Sequence, residues 1–118
     1  LVDDDHDFLL AMRVRLEASG YEVMEASDVG AALAAGEVQP PPDLVLLDIN
    51  LKIGNGIMLL DCFRGMDAMK HVPVIILTAQ PAPFLRDEAR KRRVNAFFQK
   101  PADNAELLAA IAKAVAEQ

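Results

Sequence analysis

Asp3, Asp4, Asp48, Thr78 and Lys100 are the residues of this 118-residue sequence whose types and places point to shared chemistry. Each follows a short, mostly apolar run: Leu1-Val2, Leu44-Val45-Leu46-Leu47, Val74-Ile75-Ile76-Leu77 and Ala96-Phe97-Phe98-Gln99. Apolar runs without a period of two predict strands of a parallel sheet covered on both faces. The ends of parallel strands point to one edge, where open α/β sheets bind ligands. Three carboxylates at that edge repel one another, and burying them without a cation would raise their pKa values. A hard divalent ion removes the conflict: Mg²⁺ takes oxygen ligands, and Asp4, Asp48 and one loop carbonyl could supply the protein's share. Lys100 and Thr78 suit instead an anion beside the metal, as a point charge and a hydroxyl donor. Acid, Mg²⁺, hydroxyl and lysine together describe phosphoryl chemistry, with Asp48, the most central acid, as the nucleophile for an aspartyl phosphate. Taken singly, the same residues need no chemistry: Asp48 is a turn acid, Thr78 a turn cap and Lys100 a salt-bridge partner of Asp48.

The elements that must place these residues are legible in the periodicity. Asp5 or Asp7 caps a first helix with Phe8, Leu9, Met12, Leu16 and also Val14 on its apolar side, and Gly20 stops it. Tyr21 to Ala26 alternates as an edge strand would. Ser27 or Asp28 caps a second helix over Val29, Ala32 and Leu33, ended by Gly36, and Pro40-Pro41-Pro42 leads into the central strand. After Asp48 comes a loop with Gly54 and Gly56, then a third helix carrying Ile57, Leu60, Phe63 and Arg64. A buried strand spans Val72 to Thr78. Pro81 and Pro83 delay the fourth helix to about Phe84, and it runs to about Arg92. Asp103 or Asn104 caps the final helix, with Leu107, Leu108, Ile111 and Val115 in one stripe. Five strands alternating with five helices predict a doubly wound α/β fold with a five-stranded parallel sheet between two helix layers.

Size and composition bound the rest. One domain, residues 1–118, is expected, and Leu1-Val2 is so short for a central strand that more apolar residues are expected upstream. No apolar run approaches the length of a membrane span, and no signal peptide is evident, so a cytoplasmic location is expected. A cysteine and histidine metal site is excluded by count. The one cysteine, Cys62, is expected in or near the core beside Leu59, Leu60 and Phe63. A net charge of −6 disfavours nucleic-acid binding by the domain as a whole. Five basic residues, Arg86, Arg90, Lys91, Arg92 and Arg93, form a local patch expected to face solvent or an acidic partner.

These motifs in this order closely resemble the receiver domain of bacterial two-component response regulators. The resemblance rests on Leu1-Val2-Asp3-Asp4-Asp5, Asp43 to Leu51, Pro73 to Ala79 and Lys100-Pro101. It implies a flavodoxin-like three-layer sandwich with strand order 2-1-3-4-5. It implies that Asp48 is the phosphoacceptor, that Asp3 and Asp4 organise Mg²⁺, and that Asn50 gives the metal its backbone carbonyl. Mn²⁺ would satisfy the same oxygens. Thr78 then resembles the switch hydroxyl, Lys100 the lysine that contacts the phosphoryl group, Phe97 the aromatic switch residue, and Pro101 the proline whose preceding bond is often cis. The implied partners are a sensor histidine kinase or histidine phosphotransfer protein as donor and an output domain or protein. A homodimer through the fourth helix, last strand and final helix is a further arrangement the resemblance allows.

The sequence departs from the family pattern in places. Lys52 and Gly54-Asn55-Gly56 alter the loop beside the acceptor, Arg93 stands where glycine is usual, and Phe97 lacks a tyrosine's hydroxyl. The expected function is a phosphorylation switch with slow self-dephosphorylation rather than a turnover enzyme. A small Mg²⁺-dependent aspartyl-phosphate phosphatase would need a cap or substrate pocket for which short loops leave little material. A pseudo-receiver that signals by protein contacts alone would not need these acids and this lysine.

Overall fold

The computed structural model describes residues 1–51, 56–79 and 83–117, apart from the side chains of residues 84 and 85. The expected features at Lys52, Gly54, Asn55 and Gln80 to Ala82 lie outside those residues. Along the chain run α1 (His6–Ala18), α2 (Val29–Gly36), β1 (Val45–Leu47), α3 (Gly56–Gly65), β2 (Val74–Thr78), α4 (Pro83–Lys91), β3 (Ala96–Gln99) and α5 (Asn104–Ala116). The strands pair in parallel in the order β1-β2-β3, with Val45 opposite Val74 and Thr78 opposite Gln99.

Every residue of β1 and β2 is buried, because alternate side chains enter different layers. Val45, Leu47, Val74 and Ile76 join Ala32, Leu59, Leu60, Phe63 and Ala89, so α2, α3 and α4 cover one face. Leu46, Ile75 and Leu77 join Met12, Leu16, Leu107, Ile111 and Ala114, so α1 and α5 cover the other. The result is an α/β three-layer sandwich around a parallel sheet.

Five strands were expected, but the described residues form three regular ones. Val2 makes single parallel bridges to Ala26 on one side and Leu47 on the other. Leu1-Val2 offers too few residues for a ladder, and without a neighbour to extend along, Tyr21 to Glu25 has no regular pairing.

The helix signals hold, with local corrections. Asp5 caps α1, its Oδ1 accepting from the backbone N–H groups of Asp7 at 3.0 Å and Phe8 at 3.1 Å. Asp28 and Asp103 cap α2 and α5 in the same way. Gly20 ends α1 at φ 94°, a left-handed conformation that suits glycine. Val14 lies off the apolar stripe and is 61% exposed. Cys62 is also exposed, contrary to expectation. Leu59, Leu60 and Phe63 at i, i+1 and i+4 define the inward face of α3, and the helical turn carries residue 62 away from it. Pro83 occupies the first position of α4, where its missing N–H has no helical partner to lose. Arg93 takes φ 61°, so the helix-to-strand turn keeps a left-handed backbone and bears the strain of a side chain there. Among the described residues no helix is long and apolar enough to cross a membrane.

Candidate functional site

Because the strands are parallel, Asp48 after β1, Thr78 at the end of β2 and Lys100 after β3 reach the same edge. Val2 bridges to Leu47 there and brings Asp3 and Asp4 beside them. One carboxylate oxygen from each of Asp3, Asp4 and Asp48 falls within a group spanning 4.8 Å. Mg²⁺ is a cation that takes oxygen ligands of this kind, and Asp3, Asp4 and Asp48 would be the residues to hold it. The donors are all hard oxygens, which fits the same class of cation.

Asp3 is 1% exposed, Asp48 6% and Thr78 0%, so the edge is a dry place for charge. Lys100 Nζ donates to Asp3 Oδ2 at 2.6 Å and reaches Asp48 Oδ2 at 3.4 Å. Burial raises the pKa of Asp3, and the bonds from Lys100 and the Asp5 N–H only partly offset that. For Lys100 burial is the largest influence and acts downward, but the two carboxylates together outweigh it and leave the ammonium raised. Both directions describe one arrangement, in which a single cation compensates a buried acid cluster incompletely.

The chain folds tightly around Asp48. The Asn50 backbone N–H donates to Asp48 Oδ1 at 2.9 Å, and the Asn50 side-chain amide donates to Thr78 Oγ1 at 3.0 Å. Acceptor-candidate acid and switch-candidate hydroxyl are therefore connected through one residue. Gly56 makes this possible on the other side: a Cβ there would lie 2.5 Å from Ile49 Cα and 2.8 Å from the Asp48 carbonyl oxygen. The start of α3 presses on the backbone that carries the acid, and only glycine fits.

The remaining candidates are near but not part of the charged cluster. The Lys100–Pro101 peptide bond is cis. Phe97 sits two residues before Gln99 on β3, half-buried against the core under α3 and α4, with the Arg86 guanidinium 5.1 Å from its ring centre. A cavity lined by residues such as Leu1, Met24, Pro41 and Val115 lies elsewhere and includes none of these site residues.

A family model for the response regulator receiver domain matches residues 1–112. The chain belongs to this family. As a receiver domain it is 34% identical over 115 residues to the transcriptional regulatory protein KdpE of Mycobacterium tuberculosis, covering 98% of this chain and 49% of that protein. It is 33% identical over 111 residues to the transcriptional regulatory protein PrrA of the same species, covering 94% and 46%. The chain thus spans about half the length of these relatives. A CheY-like response regulator receiver domain protein from Methanospirillum hungatei superposes with a TM-score of 0.90 at 28% identity, covering 98% of this chain and 90% of that one. The cluster of Asp3, Asp4, Asp48 and Lys100 has the receiver-domain phosphoacceptor and switch architecture.

Sequence reasoning missed three contacts. Phe8 faces the Lys100 ammonium at 3.9 Å, 92 positions away in the chain, and appeared only as part of a helical stripe. Arg64, also read as a stripe residue, donates to the carbonyls of Met69, Lys70, Val72, Arg92 and Arg93, tying two connections to the end of α3. The basic patch is partly neutralised from within, since Arg92 is held by Asp61 at 2.7 Å and Glu88 at 2.8 Å. Arg90, Lys91 and Arg93 remain exposed. Only the acids at Asp61 and Glu88, on the neighbouring turns of α3 and α4, could have signalled that pairing.

Proposed function

We propose that this chain is a phosphorylation switch in which Asp48 accepts a phosphoryl group from a phosphohistidine donor, a sensor histidine kinase or a histidine phosphotransfer protein. The observation that carries the reading is Lys100 Nζ, set between Asp3 Oδ2 at 2.6 Å and Asp48 Oδ2 at 3.4 Å on the edge where Asp4 also converges. A purely structural lysine would be better served by one acid with good geometry. This one is shared by two, and an anion on Asp48 would give it a third.

Asp3, Asp4, Asp48 and the Asn50 carbonyl would hold Mg²⁺, or Mn²⁺ in its place. When bound, the ion supplies positive charge to the phosphoryl oxygens. An Asp48 oxygen attacks phosphorus in line. An O–P bond forms, the donor's N–P bond breaks, and the electron pair stays on the imidazole nitrogen. Lys100 keeps its charge and turns from the carboxylates to an oxygen of the new acyl phosphate. Thr78 leaves the Asn50 amide to donate its hydroxyl to the same group, and Phe97 moves into the space vacated. The surface of α4, β3 and α5 changes with it, and a few kcal/mol of bias suffices for such a switch. Water resets Asp48 slowly, so the chain is a phosphoacceptor and not a dedicated turnover enzyme.

The same reading takes residues 1–118 as one receiver domain in the cytoplasm. Its sheet would be five-stranded in the order 2-1-3-4-5, and the bridges of Val2 to Ala26 and Leu47 support that order. Its output is a further domain or protein, or a homodimer through α4, β3 and α5. Titrating Mg²⁺ into the parent and into Asp4→Ala tests the ligand set. Weaker binding by the variant is expected, and equal affinity would remove Asp4 from it.

A further inference from the structure

The Lys100 ammonium has three N–H groups, and its surroundings fall in three directions. Asp3 and Asp48 take two of them, and the Phe8 ring lies over the nitrogen at 3.9 Å from its centre. Phe8 is itself fixed. Its backbone N–H is held by the Asp5 cap at 3.1 Å, and the Asp5 N–H donates to Asp3 Oδ1 at 2.9 Å. The contacts therefore close a ring, from Asp3 through Asp5 and Phe8 to Lys100 and back to Asp3. Ring and ammonium also share the wall of one groove with Met12, Leu77, Pro101 and Leu107.

We infer that Phe8 is a positioning residue, whose aromatic face holds the Lys100 ammonium at the acid cluster and leaves it ready to turn toward an anion on Asp48. The chemistry of the ring suits this task. Its negative face attracts a cation but offers no lone pair to compete for the N–H groups. A carboxylate in its place would draw Lys100 away, and a small aliphatic side chain would admit water and let the flexible lysine stem wander. The role in phosphoryl transfer rests on the proposed function of Asp48, whereas the contact itself does not.

The test separates ring electronics from shape. Trifluorophenylalanine at position 8 keeps the size of the ring and weakens its negative face, and Phe8→Tyr keeps both, while Phe8→Leu removes the aromatic surface. Uptake from phosphoramidate should fall about three- to tenfold in Phe8→Leu and in the fluorinated protein, the rate equivalent of a partly desolvated cation–π contact, and Phe8→Tyr should match the parent. Melting temperatures of the fluorinated protein and the parent should agree. The Lys100 side-chain resonances, identified by their loss in Lys100→Met, should shift downfield in Phe8→Leu as ring shielding disappears. Parental uptake in the fluorinated protein would overturn the inference, as would rates that follow only melting temperature. If the parent itself takes no phosphate, the reading of Asp48 fails. The Lys100 resonances then judge the contact alone, and their constancy in Phe8→Leu would overturn it.

Discussion

Two of the clusters that join one base to two acids among the described residues, one at the sheet edge and one on the flank of α3 and α4, differ chiefly in water. At the sheet edge Lys100 meets Asp3 and Asp48, whose side chains are 1% and 7% exposed. On the flank of α3 and α4, Arg92 meets Asp61 at 55% exposure and Glu88 at 23%. The flank has the better geometry, since the Arg92 fork reaches both Asp61 oxygens, at 2.7 and 3.3 Å, and bonds Glu88 as well. Water nevertheless screens it, and exposed pairs of this kind contribute little to stability. At the edge a single lysine is stretched between buried acids, with one contact short and the other long. Good pairing at the surface is an end state, whereas incomplete pairing in a dry place is a site that can still bind something.

The largest way to break this contrast is Lys100→Ala. It leaves the buried acids without their cation and should cost about 3 kcal/mol of stability at neutral pH, read by urea unfolding. The pH dependence follows from the directions of the shifts. Asp3 takes up its proton in the folded state above the unfolded value of 3.8, so its charge costs stability at neutral pH, and acidification through its folded pKa relieves that cost. Lys100 holds its proton more tightly when folded. Its contribution is present below 10.5 and is lost as pH rises through the higher folded value. Without Lys100 the Asp3 carboxyl should rise further, so the deficit of Lys100→Ala should shrink as pH falls toward 3.8. A pH-independent deficit would mean that lost packing, not charge, is what the lysine supplies.

The flank holds the next effect in size. Arg93→Gly should stabilise the protein by about 1 kcal/mol, because glycine adopts φ 61° without strain and keeps the carbonyl that Arg64 binds. No gain in melting temperature would show that the turn relaxes around arginine. Arg92→Gln should have the smallest effect, and high salt should erase its difference from the parent. A salt-independent loss comparable with that of Lys100→Ala would collapse the distinction between the two clusters.

The sequence makes the charged edge legible because each candidate ends an apolar run, and parallel strands need no further information to bring such ends together. Helix caps at Asp5, Asp28 and Asp103 are local and equally readable. The Arg93 turn was foreseeable from a single residue standing where glycine is usual, and its left-handed backbone is what the structure has. What escaped depends on rotation or on distance. Cys62 lies one residue from the buried Phe63, and the helical turn alone decides that it faces outward. The Phe8 ring meets Lys100 only because α1 and the turn after β3 pack together. Arg64 finds its partners in backbone carbonyls, which every residue possesses and no sequence pattern advertises. The first two expected strands have alternating or apolar patterns, yet a strand also needs a neighbour along its length, and Val2 provides a single bridge on either side.

The central claim is that Asp48 carries the phosphoryl group, and labelling tests it most directly. The parent and Asp48→Asn are incubated with Mg²⁺ and a phosphohistidine donor, and protein-bound phosphate is followed before and after hydroxylamine, which cleaves acyl phosphates. The parent should take up phosphate at a hydroxylamine-sensitive bond, and Asp48→Asn should take up none. Equally fast, hydroxylamine-sensitive labelling of Asp48→Asn would place the nucleophile on another carboxylate and contradict the account.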